Sequence, residues 1–504
     1  MTTNPDTDKT GPDEVETLPE PPSPDNAAPK LDRSLSWIGA VGLAFTITNS
    51  WMSYAATFGT SLVYGGGLTV LFAVIIAATA QWIVLIGLSE LTSAIPSSGG
   101  CYHFTYFLAP EKTRKFASFT IGIINLMGFW IGGVSAMIYT TISVFGMVSF
   151  WIEDFTPLQW QVYLAYIGVI CLSLIPIFTI PRAKTKYMTT TSLGMSLSCL
   201  VLFIIVLLAM GRGQYQPRNL ILHRNRSGWS DSSAWLLSIS LGQYSFSAAG
   251  TVVHLAEEVP RPRRNIPLAI NTTMLIGVST AIPFIIVLLS GIQDLDAVQD
   301  AWIPSTEAFY QATGSKVVAT FLQTCLALLY FTTVSTQWVS VSRIAWTLSR
   351  DNVLPFSKYW NHIDPTLGFP VRTTLLSAGF CVVFGLIYIA STTAFNSVVN
   401  MTTLLVNIAF TVPQGILACG RRDRLPPRQF HLGRRVGYVV NIFSVCWLVF
   451  SGVLFCFPTR IPTTPGSMNY GAAVLFAILL SILISYILRR NSFHGPRIPS
   501  LEAT

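Results

Sequence analysis

Charge is what this chain has least of. Only 11% of its 504 residues are Asp, Glu, Lys or Arg, against 51% hydrophobic residues, where soluble domains carry roughly 25% charged residues. A soluble fold of this length could not cover its surface with so few charges, which excludes that class. The eight cysteines form no CxxC pair and no metal-ligand spacing. A disulfide framework and a zinc site are therefore not expected, and Cys171, Cys199, Cys325, Cys381 and Cys446, inside apolar runs, read as small packing residues. No stripe of basic residues is interleaved with aromatics, so the net charge of +8 does not indicate nucleic acid. No cluster of His, Asp, Glu or Ser stands at catalytic spacing, which argues against an enzyme, and no cofactor or metal is implied. The one His near an apolar core is His254, which reads as hydrogen-bonded structure before ligand or shuttle.

What the chain has in abundance is apolar runs, with a mean hydropathy of +0.54. A transmembrane helix needs about 20 mostly apolar residues, and about twelve segments meet that need: 38–58, 67–90, 117–148, 162–180, 189–210, 234–256, 266–290, 317–346, 373–392, 395–418, 436–457 and 469–488. The expected class is an all-α integral membrane protein of about 12 transmembrane helices in the lipid bilayer. The first span would serve as the targeting anchor. Residues 1–34 are rich in Pro, Asp, Glu and Thr and read as a disordered tail; 491–504 form a closing tail. With the N-terminus inside, 25 of the 31 Lys and Arg fall on the cytoplasmic side and 6 on the outer side, so both termini are expected in the cytoplasm. Asn225-Arg226-Ser227 then lies in an outer loop, where Asn225 reads as a glycosylation acceptor. Loop 291–316 carries Ser305-Thr306-Glu307-Ala308-Phe309-Tyr310, read as a short capped helix over an outer vestibule, or equally as an ordinary surface helix.

Two of the spans are interrupted alike. The first holds Thr46-Ile47-Thr48-Asn49-Ser50 at its middle, and the sixth holds Tyr244-Ser245-Phe246-Ser247-Ala248-Ala249-Gly250. Small and polar residues there weaken a continuous helix, and backbone freed in a membrane survives only against protein or a water-filled cavity. One broken span in each half is the best sequence pointer to a transporter's substrate site. Units 38–210 and 234–418 each open with such a span. An odd number of spans per unit inverts the second, giving a five-plus-five inverted repeat with two extra helices at 436–488. Freed N–H groups and the positive end of a helix can hold a carboxylate, and freed carbonyls and hydroxyls an ammonium or coupling ion. The candidate substrate-binding residues are Thr46, Thr48, Asn49, Ser50, Tyr244, Ser245, Phe246, Ser247 and Gly250, with Trp51 and Trp130 as further aromatics able to close over the substrate. Gly128-x-x-x-Gly132 with Gly133 reads as a packing face.

Charged residues at the span ends are Glu90, Glu257, Glu258 and Arg343, candidates for gating or interface roles. Glu257 and Glu258 lie about eleven residues past Phe246, roughly 16 Å along a helix. That places them near the interface, where pairing with Arg is favoured over a proton relay.

Four stretches carry a family resemblance. They are Gly42-Leu43-Ala44-Phe45 with Thr48-Asn49-Ser50-Trp51; Ser89-Glu90-Leu91 through Ile95-Pro96-Ser97-Ser98-Gly99-Gly100; His254-Leu255-Ala256-Glu257-Glu258-Val259 with Arg263-Arg264-Asn265-Ile266-Pro267; and Ser342-Arg343 with Ser349-Arg350-Asp351-Asn352 and Leu354-Pro355. Together they resemble the amino acid–polyamine–organocation (APC) superfamily over roughly residues 35–490, and within it the fungal amino acid/choline transporter family. Leu386-Ile387-Tyr388-Ile389-Ala390-Ser391 with Thr393-Ala394-Phe395 looks most like the choline permease branch. The resemblance implies the APC/LeuT-type fold, alternating access, and H+-driven uptake of amino acids, choline, GABA or related small amines across a plasma or vacuolar membrane. Relatives with amine substrates often carry an acid in the sixth-span break where this chain has Gly250, which points to a zwitterion or a less usual metabolite. The alternative is a non-transporting nutrient sensor of the same fold; the short tails disfavour it.

Overall fold

The computed structural model describes residues 35–152, 154–180, 184–211, 213–464 and 468–496, without the side chains of 390 and 392–400. The tail 1–34, Arg182, Arg212 and residues 497–504 lie outside the described residues.

Among the described residues every regular element is helical. The helices that build the expected spans are α1 (Trp37–Thr48) and α2 (Ser50–Ala94), α4 (Arg114–Trp151), α5 (Gln159–Thr179), α6 (Thr185–Met210), α7 (Asp231–Ser247), α8 (Pro262–Gly291), α11 (Lys316–Arg350), α13 (Val371–Ala390), α14 (Thr392–Ile416), α15 (Arg434–Leu454) and α16 (Gly471–Arg489). Short helices α3 (Cys101–Leu108), α9 (Leu295–Asp300), α10 (Pro304–Thr313) and α12 (Ser357–Trp360) sit in the connections.

Among the described residues, ten helical stretches are long and apolar enough to cross a membrane. One of them, Trp37–Ala94, is 58 residues long and holds the first two expected spans. It turns back at Gly65–Gly66, where Gly66 has φ +69° and a Cβ would lie 2.8 Å from the Leu222 carbonyl oxygen, so only glycine fits the turn. The sixth expected span is absent from the ten because it is split between α7 and a 3₁₀ segment, Ala248–Leu255. Counting both recovers the twelve, with ends within a few residues of those read from hydropathy.

The two halves use their helices alike. α4 packs against α11 and α14, α2 against α7 and α8, and α5 against α11 and α13. Short α3 docks on α4 at one face, and short α10 docks on α11 at the other, as inverted halves require. Gly128 and Gly132 allow α4 close to α14: a Cβ on Gly128 would lie 2.9 Å from Val406, and one on Gly132 3.1 Å from Thr402. Helices α15 and α16 lie outside the paired halves and pack on α14.

Candidate functional site

The first break is one residue wide. Ser36 caps the start of α1, and the helix ends at Asn49, whose φ of 31° and ψ of 64° are left-handed. Asn tolerates that conformation better than other residues with a Cβ. Its side chain is committed: Oδ1 accepts from Ser196 Oγ at 3.0 Å, and Ser196 Oγ accepts from Trp51 Nε1 at 3.1 Å. Trp51 is fully buried edge-on to Phe203 and Phe284. Asn49 and Trp51 therefore fix α1 and α2 to α6 and α8, so neither side chain is free for a substrate. Carbonyls around the break are engaged by side chains: Ser53 Oγ donates to Thr48 O at 2.7 Å, and from α11 Tyr330 Oη donates to Met52 O at 3.1 Å and Thr333 Oγ1 to Thr46 O at 2.9 Å.

The second break is a change of helix type at Ala248, so backbone bonding tightens there without a gap. Tyr244 Oη lies 2.9 Å from Ser135 Oγ on α4, and Ser247 Oγ donates to the Tyr244 carbonyl. Phe246 is fully buried and, with Ser50, packs on Gly277 of α8. Gly250 turns away from any open space. A Cβ there would stand 2.5 Å from Phe410 Cζ and 2.8 Å from Leu88 Cδ2. The position read from sequence as the seat of a missing substrate-binding acid is thus a helix-packing point against α2 and α14.

Some polar groups at the breaks have no partner. Thr46 Oγ1, Ser50 Oγ, Ser245 Oγ and Thr251 Oγ1 are buried hydroxyls with no hydrogen bond among the described residues. Buried polar atoms in proteins are overwhelmingly paired; Ser61 Oγ, Ser238 Oγ and Thr273 Oγ1 are unpaired as well, and Ser50 packs on Gly277, so Thr46, Ser245 and Thr251 stand out by their place at the two breaks as hydroxyls able to receive a polar guest.

Above the first break a cavity of about 570 Å³ opens on the face opposite Leu35, lined by α2, α4, α7, α11, the α9–α10 corner and the α15–α16 loop. Its wall includes Tyr139 and Tyr330, with ring centroids 5.9 Å apart, and Tyr330 reaches the Met52 carbonyl three residues past Asn49. The short helix expected in loop 291–316 is there as α10 and borders the cavity. Ser305 does not cap it, because its hydroxyl donates instead to Gln323 Oε1 on α11 at 3.1 Å.

The face bearing Leu35 is closed by ion pairs. Arg343 meets Glu258 at 2.8 Å with both side chains buried, and Arg350 meets Glu257 at 3.5 Å. Glu257 also accepts from Ser98 N. Asp351 takes hydrogen bonds from Tyr102 and His103, at 2.7 and 3.1 Å. Glu90, fully buried on α2, is held by Arg422 at 2.7 Å and Arg428 at 3.0 Å. The four charged residues singled out in sequence are all in ion pairs, but in two groups. Glu257, Glu258 and Arg343 join the second break to α11, whereas Glu90 joins α2 to the loop before α15.

Asn225, read from the sequence as a glycosylation acceptor, is half-buried and hydrogen-bonded within its loop. Its amide nitrogen donates to Trp229 O and Asp231, its oxygen accepts from Ser227 N and Oγ, and Ser227 is fully buried. Both ends of the acceptor are spent bracing the loop.

Sequence reading passed over uncharged amides. Gln243 Nε2 donates to Gln81 Oε1 at 3.1 Å, and Gln81 Nε2 to Asn407 Oδ1 at 2.9 Å. This fully buried chain links α7, α2 and α14. Gln337 Nε2 donates to the Phe129 carbonyl at 2.7 Å. A census of Asn and Gln inside apolar spans would have flagged all four.

Residues 35–479 match the family model described as amino acid permease. The chain is 29% identical over 475 residues to a choline transporter of Saccharomyces cerevisiae, covering 92% of this chain and 83% of that one. It is 27% identical to amino-acid permease 2 of Neurospora crassa, covering 94% and 88%, and 26% identical to the swainsonine transporter of Arthroderma benhamiae, covering 92% and 93%. With helices broken at matched places, a cavity open on one face and ion pairs across the other, the chain belongs to the amino acid permease family of the APC superfamily and is a multi-pass membrane transporter, not an enzyme.

Proposed function

We propose that this protein is a secondary active transporter that carries a small amine or zwitterionic metabolite by alternating access, driven by protons. The observation that carries the reading is the set of partnerless buried hydroxyls at the two breaks, together with a cavity whose wall residue Tyr330 reaches the Met52 carbonyl beside the first break. We divide the chain into repeats 38–210 and 234–418 with extra helices at 436–488, and place both termini in the cytoplasm from the Lys and Arg distribution. On that orientation the cavity faces outward and the molecule is poised to load, in the plasma membrane before the vacuole.

Thr46, Ser245 and Thr251 are the side chains we assign to the substrate, with Tyr244, Tyr139 and Tyr330 as the aromatic gate above it. Thr48 and Ser247 shape the breaks through their backbone bonds. Arg460 is the one charged residue among those lining the cavity, and no carboxylate stands there to attract a bare cation. A substrate bearing a carboxylate is therefore favoured: an amino acid or a related amino-carboxylic metabolite. Choline would depend on the tyrosine faces, with cation–π attraction worth about 2 kcal/mol when desolvated. Radiolabelled uptake of amino acids, choline and GABA in a permease-deficient yeast tests this. Saturable uptake of at least one compound, abolished by a protonophore, is expected. Correct membrane insertion with neither uptake nor efflux of any of them would overturn transport and leave the sensor.

A further inference from the structure

His254 lies four residues past Gly250 in the 3₁₀ segment and is 1% exposed. Its two ring nitrogens have defined partners. Nδ1 is 3.0 Å from the Ser98 carbonyl oxygen, which can only accept, so Nδ1 carries a proton. Nε2 is 2.9 Å from Nδ2 of Asn125 on α4, an amide donor, so Nε2 accepts and the ring is neutral. The other end of the same amide, Asn125 Oδ1, is buried with no hydrogen-bond partner. Turning the amide by half a revolution about its Cβ–Cγ bond exchanges these two ends within nearly the same envelope. Oδ1 would then face Nε2 and accept from it, and a ring protonated at both nitrogens would be fully bonded. In the orientation present Oδ1 lacks a partner, so the surroundings do not lock the amide and the ring's protonation can decide it.

We infer that His254 is the binding site for the coupled proton, and that Asn125 is the positioning residue whose amide orientation follows it. This rests on the proton-coupled transport proposed above. A proton delivered as hydronium adds to the Nε2 lone pair and leaves water, while Nδ1–H stays on the Ser98 carbonyl; its release to water reverses the step.

Ser98 gives the proton a route to the gate. Its carbonyl accepts from His254, its N–H donates to Glu257 Oε1 at 3.3 Å, and its hydroxyl accepts from Glu257 N at 3.3 Å. A cationic ring makes a charge-assisted bond to that carbonyl, stronger than the neutral one, and so tightens the closed face. Around the ring the turn that follows the 3₁₀ segment supplies Glu257 and Glu258, which are held by Arg350 and Arg343 of α11. The α3 side supplies His103 and Tyr102, both bonded to Asp351, together with Gly100, whose backbone lies close to the imidazole. On α4 the neighbours are Asn125 and Phe129, the latter edge-on at 5.8 Å. An uncharged imidazole in a membrane interior costs least, and a proton can be added there only if its bonds are ready.

The test uses the purified full chain in proteoliposomes, with a radiolabelled compound from the yeast panel that the wild type carries. Two readouts are compared: accumulation driven by an acidic exterior, and counterflow exchange at equal pH. His254→Gln is expected to lose at least tenfold in pH-driven accumulation while counterflow persists within about threefold. Asn125→Leu, which removes the alternative acceptor, is expected to need a more acidic exterior for half-maximal accumulation, and Asn125→Asp to restore it. Wild-type accumulation by His254→Gln, or an unshifted pH profile for Asn125→Leu, would overturn the assignment. If His254→Gln does not insert, the Asn125 pair decides. If the wild type carries nothing, the transport reading fails, and proton uptake by the detergent-solubilised protein between about pH 7.5 and about pH 4.5 judges the site alone: measurably fewer protons bound by His254→Gln supports it, and an equal count overturns it.

Discussion

At Gly250 a missing side chain is a packing requirement before it is a specificity signal. The nearest atoms to a Cβ there are the Phe410 ring at 2.5 Å and the Leu88 methyl at 2.8 Å. Overpacking of this kind costs about 1–3 kcal/mol. Gly250→Ala is therefore expected to destabilise the detergent-solubilised protein by about that amount, and Phe410→Ala to recover part of it in the double variant. Gly250→Asp would add a buried charge and is expected to lower folded yield rather than to shift preference towards cations. A folded, monodisperse Gly250→Asp protein with enhanced choline uptake would show that the segment turns its face to the substrate. Ser50 and Phe246 teach the same lesson: both were placed at a break by sequence, yet both pack on Gly277.

At the scale of elements, the first break is held by hydrogen bonds from neighbouring helices. α11 contributes Tyr330 and Thr333 to carbonyls of α1 and α2, and α6 contributes Ser196 to Asn49. The scaffold has its own lock in Glu90, whose carboxylate receives Arg422, Arg428 and the Leu432 N–H. Arg422 is buried too and also bonds Asn441 of α15 and the Gly433 carbonyl. Removing one partner of a buried pair leaves an uncompensated charge and costs about 3–5 kcal/mol. Glu90→Ala is expected to lower stability by that order, read as a lower melting temperature and loss of α15 protection in hydrogen exchange. An unchanged melting temperature would mean that the two arginines find other partners at no cost.

At the scale of the molecule, one face is open and the other closed. On the alternating-access mechanism proposed above, the charge pairs across the closed face would hold this state, because a two-state protein rests where its contacts are better satisfied. In a background with the exposed Cys171, Cys419 and Cys446 replaced by Ser, Thr60→Cys should react with a membrane-impermeant thiol reagent added outside. Thr60 is exposed and lines the cavity. Adding Arg343→Gln weakens the closed face and is expected to cut that labelling rate at least twofold as molecules move to the state open on the other side. An unchanged rate would remove the Arg343–Glu258 pair from the gate.

Membrane insertion, helix count, the position of both breaks and the presence of ionic residues near one interface were legible in sequence, because each depends on local composition along a segment about 20 residues long. The partners were not. Glu90 with Arg422, Arg343 with Glu258, Asn125 with His254 and Gln81 with Asn407 join residues 85 to 332 positions apart. Which of two neighbouring small residues faces a cavity and which faces a packed ring is equally invisible, since a helix turns about 100° per residue and the sequence alone does not say where the other helices stand. By itself the sequence determined that the chain crosses a membrane many times on two broken helices. Only the packing of those helices decided that Gly250 meets Phe410 while Thr46 and Ser245 keep unbonded hydroxyls, because unfilled hydrogen bonds and steric contacts are properties of neighbours in space.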